Sequence, residues 1–310
     1  MKALFWGTPV FALPALRALT EEGHQVVGVV TQPDRPAGRG RELARSPVKE
    51  EALAEGIPVL QPERARGDAF MDEVRELEPE ISVVVAYGQI LRPEVLALPP
   101  LGSINIHASL LPALRGAAPI QWAIMRGDST TGVTLMRMEA GLDSGPILLQ
   151  TEEEIRPDES ASELASRLSE LGATALIETL ALMQAEMLRG QPQDHALATY
   201  APKLDRETAR LDWAKPAPEI SRWIRGLDDV PGAWTPRAGG AVVKLFRASA
   251  EPWPPGEAPG TVVEAGDQGI LVSAGQGAVR VLEVQPSGKR RMSAAEWARG
   301  RGVSVGERFG

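Results

Sequence analysis

The sequence predicts an α/β fold: a doubly wound, mostly parallel sheet over the first part of the chain, followed by a small C-terminal β-barrel. Three observations predict it. Apolar strand-like runs alternate with helical patterns up to about residue 155. After residue 205 the rhythm changes to short β-rich runs between Gly/Pro-rich turns, which fits an OB-like barrel. No apolar run approaches the roughly 18 residues that a membrane span needs.

The elements follow in chain order. A strand at 3–6 leads through Gly7-Thr8-Pro9 into a helix over about 9–22, then a strand at 25–31 and a helix at 47–55. A short strand near Val59, a helix at 68–77, the apolar run 81–86 and a strand at 102–107 continue the series, so right-handed crossovers onto a parallel sheet are expected. Stretches 131–137 and 146–155 read as further strands. Leu164, Leu168, Leu171, Ala175 and Leu182 recur at helical spacing and make 160–189 one long helix. Residues 190–205 carry Gly190, Pro192 and Pro202 without a clear period and read as a linker. Beyond them, strands are expected at 242–247, 260–264, 269–273 and 278–284, with helices at 218–225 and 293–299. The expected domains are therefore 1–189 and 206–310, joined by 190–205.

Composition narrows the function classes. The 310 residues are 43% hydrophobic and 24% charged, as a folded chain requires. There is no cysteine, which excludes disulfides, a thiolate nucleophile and Cys-ligated zinc or iron–sulfur sites and makes the cytosol the expected compartment. The net charge of −8 is unevenly spread, with 18 basic against 29 acidic residues in 1–205 and 15 against 12 in 206–310. The second part is thus suited to a polyanionic partner. Its tryptophans, Trp213, Trp223, Trp234, Trp253 and Trp297, read better as barrel core than as base-stacking platforms.

The first strand-to-helix turn argues against a dinucleotide. Pro9 stands where the second glycine of G-x-G-x-x-G would let backbone approach a pyrophosphate, and proline has no N–H to donate. A G-x-x-x-x-G-K-[ST] loop is also missing. The ligand crevice of such a sheet lies off the carboxyl ends of its strands. There, in Ser103-Ile104-Asn105-Ile106-His107, the period of two puts Asn105 and His107 on one face and the isoleucines on the other. The irregular apolar loop that follows, through Ser109, Leu110, Leu111, Pro112 and on to Ile120, suits a pocket wall. Downstream, Gly141-Leu142-Asp143-Ser144-Gly145 brackets one acid with glycines, a turn aspartate or an acid that orients an imidazole. The remaining histidines, His24 and His195, read as solvated.

The stretches AYGQIL (86–91), NIHASLLPALRGAAPIQWAI (105–124), TGVTLMRMEAGLDSGPIL (131–148), TQPDRPAGRGRELARSPVK (31–49) and YAPKLDRETARLDW (200–213) together resemble the methionyl-tRNA formyltransferase family. The resemblance spans essentially the whole chain. It implies a formyltransferase-type Rossmann-like catalytic domain and an OB-like tRNA-binding domain. The implied reaction is transfer of a formyl group from 10-formyltetrahydrofolate to the amine of methionine on initiator methionyl-tRNA, for translation initiation. The implied catalytic residues are Asn105, His107 and Asp143. Ser109, Leu110, Leu111 and Pro112, with Gly88, Gln89, Ile90 and Leu91 of the 86–91 loop, are implied to line the folate pocket.

The chemistry of the residues agrees with that assignment. An amine attacking a formyl carbon creates an oxyanion, which the Asn105 amide and a charged His107 can stabilise in a dry site. The attacking amine's proton has three candidate carriers, His107, Asp143 or a water. No metal is expected, since the trio supplies the electrophilic assistance and neither H-E-x-x-H nor a cysteine ligand set occurs. Arg35, Arg39, Arg41, Arg45 and Lys49 make 31–49 a basic loop whose prolines and glycines forbid a regular helix. By resemblance this loop reaches the acceptor end of the tRNA through Arg39, with Arg35, Arg41 and Arg45 as further candidates and Lys203 contributing from the linker. Lys244, Arg247, Arg280, Lys289, Arg290 and Arg291 are candidates for the acceptor arm. The rivals are a formyltetrahydrofolate hydrolase or sugar-amine formyltransferase, against which the basic loop argues, and a noncatalytic RNA-binding protein, against which the trio argues. A monomer is expected, with no membrane association.

Overall fold

Ala3, Leu4, Phe5 and Trp6 form an unbroken apolar run that needs cover on both faces, and such a run belongs in the middle of a sheet. In the computed structural model, which describes residues 1–37 and 42–310, they form β1 (Lys2–Gly7). It is followed by α1 (Leu13–Glu21), β2 (Gln25–Val30), β3 (Arg35–Ala37), β4 (Glu42–Ala44), α2 (Pro47–Ala54), β5 (Val59–Leu60), α3 (Asp68–Glu76) and β6 (Ile81–Val85). Next come α4 (Pro93–Leu96), β7 (Ser103–His107), β8 (Arg115–Gly116), α5 (Pro119–Arg126), β9 (Thr130–Arg137), β10 (Ile147–Glu154) and α6 (Ala161–Gln184).

One seven-stranded sheet runs in the order β10-β9-β7-β6-β1-β2-β5. Strands β5, β2, β1, β6 and β7 are mutually parallel, and β9 runs antiparallel to β7. The order reverses between β1 and β6, so the crevice of a doubly wound sheet opens where these two strands end. Gly7 ends β1 there. A Cβ on it would stand 2.8 Å from the Phe5 ring and 2.9 Å from Ala12 Cβ, so only glycine permits this close approach.

Several elements differ locally from expectation. The predicted helix at 9–22 begins as a short 3-10 turn, Val10–Ala12, because Pro9 is extended; the α-helix starts at Leu13 with Pro14 in its first turn. The long helix stops at Gln184, and Glu186 takes a left-handed φ of 56°. The basic loop is not wholly irregular: β3 and β4 pair as an antiparallel hairpin, Arg35 opposite Ala44 and Ala37 opposite Glu42. Arg39 and Arg41 lie outside the described residues.

The chain packs as two units, one of residues 1–116, 131–153 and 165–200, the other of 117–130, 154–164 and 201–310. The chain continues with β11 (Tyr200–Ala201), and the second unit adds α7 (Ala217–Gly226), β12 (Trp234–Pro236), β13 (Val242–Glu251), β14 (Val262–Gly266), β15 (Gly269–Ser273), β16 (Ala278–Pro286), β17 (Met292–Ser293) and α8 (Ala294–Arg299). The expected barrel is a six-stranded antiparallel sheet in the order β12-β13-β16-β15-β14, with β17 paired to β16. Its core holds Trp213 and Trp297, with Trp223 and Trp234 packed against it, as the core reading of the tryptophans expects, while Trp253 is half-buried and outside that core. A capping box, Ser293 with Glu296, starts α8. The approach of α7 to α5 explains why an internal helix belongs to this unit. A Cβ on Gly226 would stand 2.6 Å from Met125 Cγ and 3.0 Å from the Gln121 carbonyl.

Candidate active site

Strand β7 carries the site. Ile104 and Ile106 face apolar neighbours, and α6 presses on Ile106 so closely that a Cβ on Gly172 would stand 2.8 Å from its Cγ2. Asn105 and His107 point to the other face, as the period of two predicts, but both are buried rather than open to solvent: Asn105 is 9% and His107 5% exposed.

His107 is held at both ring nitrogens. Nε2 lies 3.0 Å from the Leu114 carbonyl, which can only accept, so Nε2 carries the hydrogen. Nδ1 then faces the Asp143 carboxylate, 3.7 Å from Oδ2. That carboxylate is fixed from behind by the Gly116 N–H, which donates to Oδ2 at 2.8 Å. The residues that hold the ring are themselves strained. Leu114 and Asp143 take left-handed φ values of 58° and 48°, a conformation that non-glycine residues adopt where surrounding structure forces it. The Leu114 N–H donates to Thr199 Oγ1 at 2.9 Å, which stabilises the turn. Gly145 closes the other loop, since a Cβ there would fall 2.0 Å from the Arg137 carbonyl.

Asn105 is different. Its side chain forms no hydrogen bond among the described residues, and its amide atoms keep a little access to solvent although the residue is only 9% exposed. An amide with free donors at the carboxyl end of a strand, where the crevice of such a sheet opens, is available to a ligand.

Sequence reasoning missed a second tier. Gln193, in the segment read as a linker, is buried, and its Nε2 donates to the Asp143 carbonyl at 2.9 Å and to the Gly145 carbonyl at 2.7 Å. Arg115 orients this amide, donating from Nε and Nη2 to Gln193 Oε1 at 3.1 and 2.5 Å. His195 is exposed, as expected, and Arg115 Nη2 lies 3.1 Å from its Nδ1. Thr134 Oγ1 donates to the Ser109 carbonyl at 2.6 Å and accepts from the Leu111 N–H at 3.1 Å, while Gln150 Nε2 donates to the Leu111 carbonyl at 2.9 Å. No local period marks these residues; their partners lie up to 80 positions away.

The expected pocket residues divide by exposure. Ser109 is buried and donates to the Ala113 carbonyl at 2.6 Å, and Leu111 and Leu91 are buried too. Leu110 and Pro112 are half-buried. Gly88 is exposed with a φ of 92°, and Ile90 is 92% exposed, an apolar side chain offered at the strand ends. Gln89 ties the 86–91 loop down, donating to Gln32 Oε1 and to the Glu63 carbonyl, each at 3.2 Å. Tyr87 packs edge-on against Trp6; burial pushes its hydroxyl up to about 12, and that hydroxyl has no partner.

Among the basic candidates, Arg35, Arg45 and Lys203 are exposed. Lys49 is spent inside the protein on Asp34, whose carboxyl is held below its usual range by that ammonium first and by Gln61 second. Arg280 likewise pairs with Glu251 and Glu264, and Arg291 with Asp228, Asp229 and Glu283. Lys289 and Arg290 are exposed. Among the described residues, no helix is long and apolar enough to cross a membrane.

The family model for formyl transferases matches residues 1–180, and that for the formyl transferase C-terminal domain matches 203–302. A methionyl-tRNA formyltransferase of Symbiobacterium thermophilum is 51% identical over 100% of this chain and 95% of its own length. The chain belongs to the methionyl-tRNA formyltransferase family. Another curated relative, from Chromobacterium violaceum, is 48% identical over 100% of both chains. Solved structures share the fold of this formyltransferase chain at lower identity. HypX from Aquifex aeolicus in complex with tetrahydrofolic acid superposes with a TM-score of 0.70 at 20% identity over 96% of this chain and 46% of HypX. The chain thus spans about half the length of the HypX structures it matches. WlaRD, a sugar 3N-formyl transferase, gives 0.67 at 18% identity over 94% of this chain and 99% of that one.

Proposed function

We propose that this protein transfers the formyl group of 10-formyltetrahydrofolate to the α-amino group of methionine on initiator methionyl-tRNA, as a cytoplasmic monomer serving translation initiation. The observation that carries this reading is the Asn105 amide, without a hydrogen-bond partner among the described residues, on the same strand face as a His107 ring held between the Leu114 carbonyl and Asp143. The donor folate supplies an activated formyl carbon. The open strand ends suit it, with exposed apolar Ile90 and half-buried Leu110 offering surface to a flat ring system.

The chain's own groups then act in sequence. Asn105 donates its amide N–H to the formyl oxygen as charge develops there, an interaction strongest where water is excluded. With Nε2–H committed to Leu114, Nδ1 is the atom at which His107 takes a proton from the attacking amine and returns one to the folate nitrogen. As the new carbon–nitrogen bond forms and the bond to the folate nitrogen breaks, Asp143 balances the charge on the ring. Gly116 keeps that carboxylate in place. Residues 1–189 form the catalytic domain in this reading, 190–205 the linker and 206–310 the tRNA-binding domain. Arg35, Arg39, Arg41, Arg45 and Lys203 contact the RNA.

A formyl-transfer assay with initiator methionyl-tRNA, with elongator methionyl-tRNA and without RNA tests the proposal. Formylmethionine should appear on the initiator alone. Tetrahydrofolate released equally without RNA would identify a hydrolase instead. Arg39→Ala should raise KM for the tRNA and leave KM for folate unchanged, because phosphate and base-stacking contacts belong to the RNA alone. An unaltered KM and kcat for the RNA would remove Arg39 from the interface.

A further inference from the structure

The second unit contains a cavity of about 470 Å³ whose wall includes Arg156, Arg222 and Arg225. Two of these are one turn apart on α7, and neither guanidinium has an ion-pair partner among the described residues. Arg225 is 9% exposed, and its one hydrogen bond runs from Nη1 to the Glu159 carbonyl at 2.8 Å. The Nε groups of both Arg222 and Arg225 are buried without a partner. Each guanidinium carries five N–H donors, so most of this donor capacity is unused. Arg222 lies against the left-handed turn that ends α5, where a Cβ on Gly127 would fall 2.9 Å from its Nε. The glycine therefore leaves room for the arginine.

The contrast with other arginines of the same unit is sharp. Arg237 is paired bidentately with Glu307, and Arg280 with Glu251. Three carboxylates, Asp128, Glu154 and Asp158, also line the cavity, but none forms an ion pair with the three arginines, and Asp128 lies 3.7 Å from Arg126 instead. Burial lowers the Arg225 guanidinium from its ordinary value, with Asp158 opposing and Arg222 adding to the effect. Two adjacent like charges, one buried and one half-buried, neither with a direct ion-pair partner among the described residues, cost stability unless an anion completes them.

The geometry points to an oxyanion site of the phosphate class, in which Arg222, Arg225 and Arg156 bind one phosphate group, either free phosphate or a backbone phosphate of the RNA substrate. Planar guanidiniums pair with phosphate through parallel N–H bonds, which matches the unused donors here. The site does not depend on the formyl-transfer reading, because phosphate binding is measured without turnover.

The test is thermal unfolding of the full chain titrated with inorganic phosphate at constant ionic strength, with chloride as the matched control. Wild type should show a saturable rise in Tm with phosphate. Arg222→Gln should keep or raise the phosphate-free Tm, since it loses no ion pair and removes one of two adjacent like charges, and should weaken phosphate binding about tenfold. Arg156→Gln, exposed and so neutral to folding, serves as the second variant and should weaken phosphate binding in the same direction. Equal phosphate responses in wild type and both variants, or no response in wild type, would overturn the site. The source is read from tRNA-dependent kinetics: a raised KM for methionyl-tRNA in Arg222→Gln, with a salt slope reduced by about one, places an RNA phosphate there. An unchanged KM alongside lost phosphate binding assigns the site to free phosphate.

Discussion

The strand ends of the first unit and the cross-strand arginines of the second treat buried polar groups in opposite ways. In the second unit Arg280 lies between Glu251 and Glu264, and Arg291 among Asp228, Asp229 and Glu283. Their charges are internally balanced and hold strands together. In the first unit Asn105 has no partner, and His107 is fixed at Nε2 while Nδ1 faces a carboxylate beyond hydrogen-bond distance. Satisfied groups build architecture, and unsatisfied ones in strained surroundings mark where a ligand must arrive.

The comparison breaks most visibly at His107. His107→Ala should lower kcat by about a hundredfold or more, through loss of oxyanion stabilisation and of the proton carrier. Steady-state kinetics on folded protein checks it, and near-normal turnover would contradict it. Gln193→Ala should be milder, lowering kcat about tenfold with KM for tRNA and folate unchanged, because it releases the 143–145 loop that aims the carboxylate. Gln193→Glu, whose carboxylate cannot donate to the two carbonyls, should behave like the alanine variant in the same kinetics.

In the second unit the effects move from rate to stability. Arg280→Gln should cost about 1–2 kcal/mol in urea unfolding, less than a fully buried pair because Glu251 and Glu264 are partly solvated, and should leave kcat unaltered. The smallest effect is a pH slope. Burial, together with Asp229, raises Asp228 to about 6, so the folded state holds its proton more tightly than the unfolded chain. The contribution to stability is complete below about pH 4 and is lost as pH rises through about 6. The Tm of Asp228→Asn relative to wild type should therefore rise between those limits; parallel profiles would contradict the assignment.

Much of this was legible in the sequence. The parallel strands were readable because an apolar run such as Ala3 to Trp6 has only one place in a sheet, and the shared face of Asn105 and His107 follows from the strand period alone. The identity of what meets them was not. The Leu114 carbonyl reaches His107 only through a left-handed turn, and Gln193 reaches Asp143 from 50 residues away, so neither leaves a local signature. Counting charges also misled. Arg280 and Arg291 read as RNA contacts and Lys49 as part of the basic loop, yet each is committed to carboxylates brought near by folding. The pairing of β3 with β4 escaped for a similar reason: the prolines and glycines of 31–49 argue for irregular chain, while the pairing is decided between 35–37 and 42–44.

The most direct measurement pairs kcat with Tm for Asn105→Ala. Because the amide has no partner in the folded protein, its removal should leave Tm unchanged or slightly higher while kcat falls about a hundredfold. A lowered Tm with nearly normal turnover would make Asn105 a structural group and contradict the account.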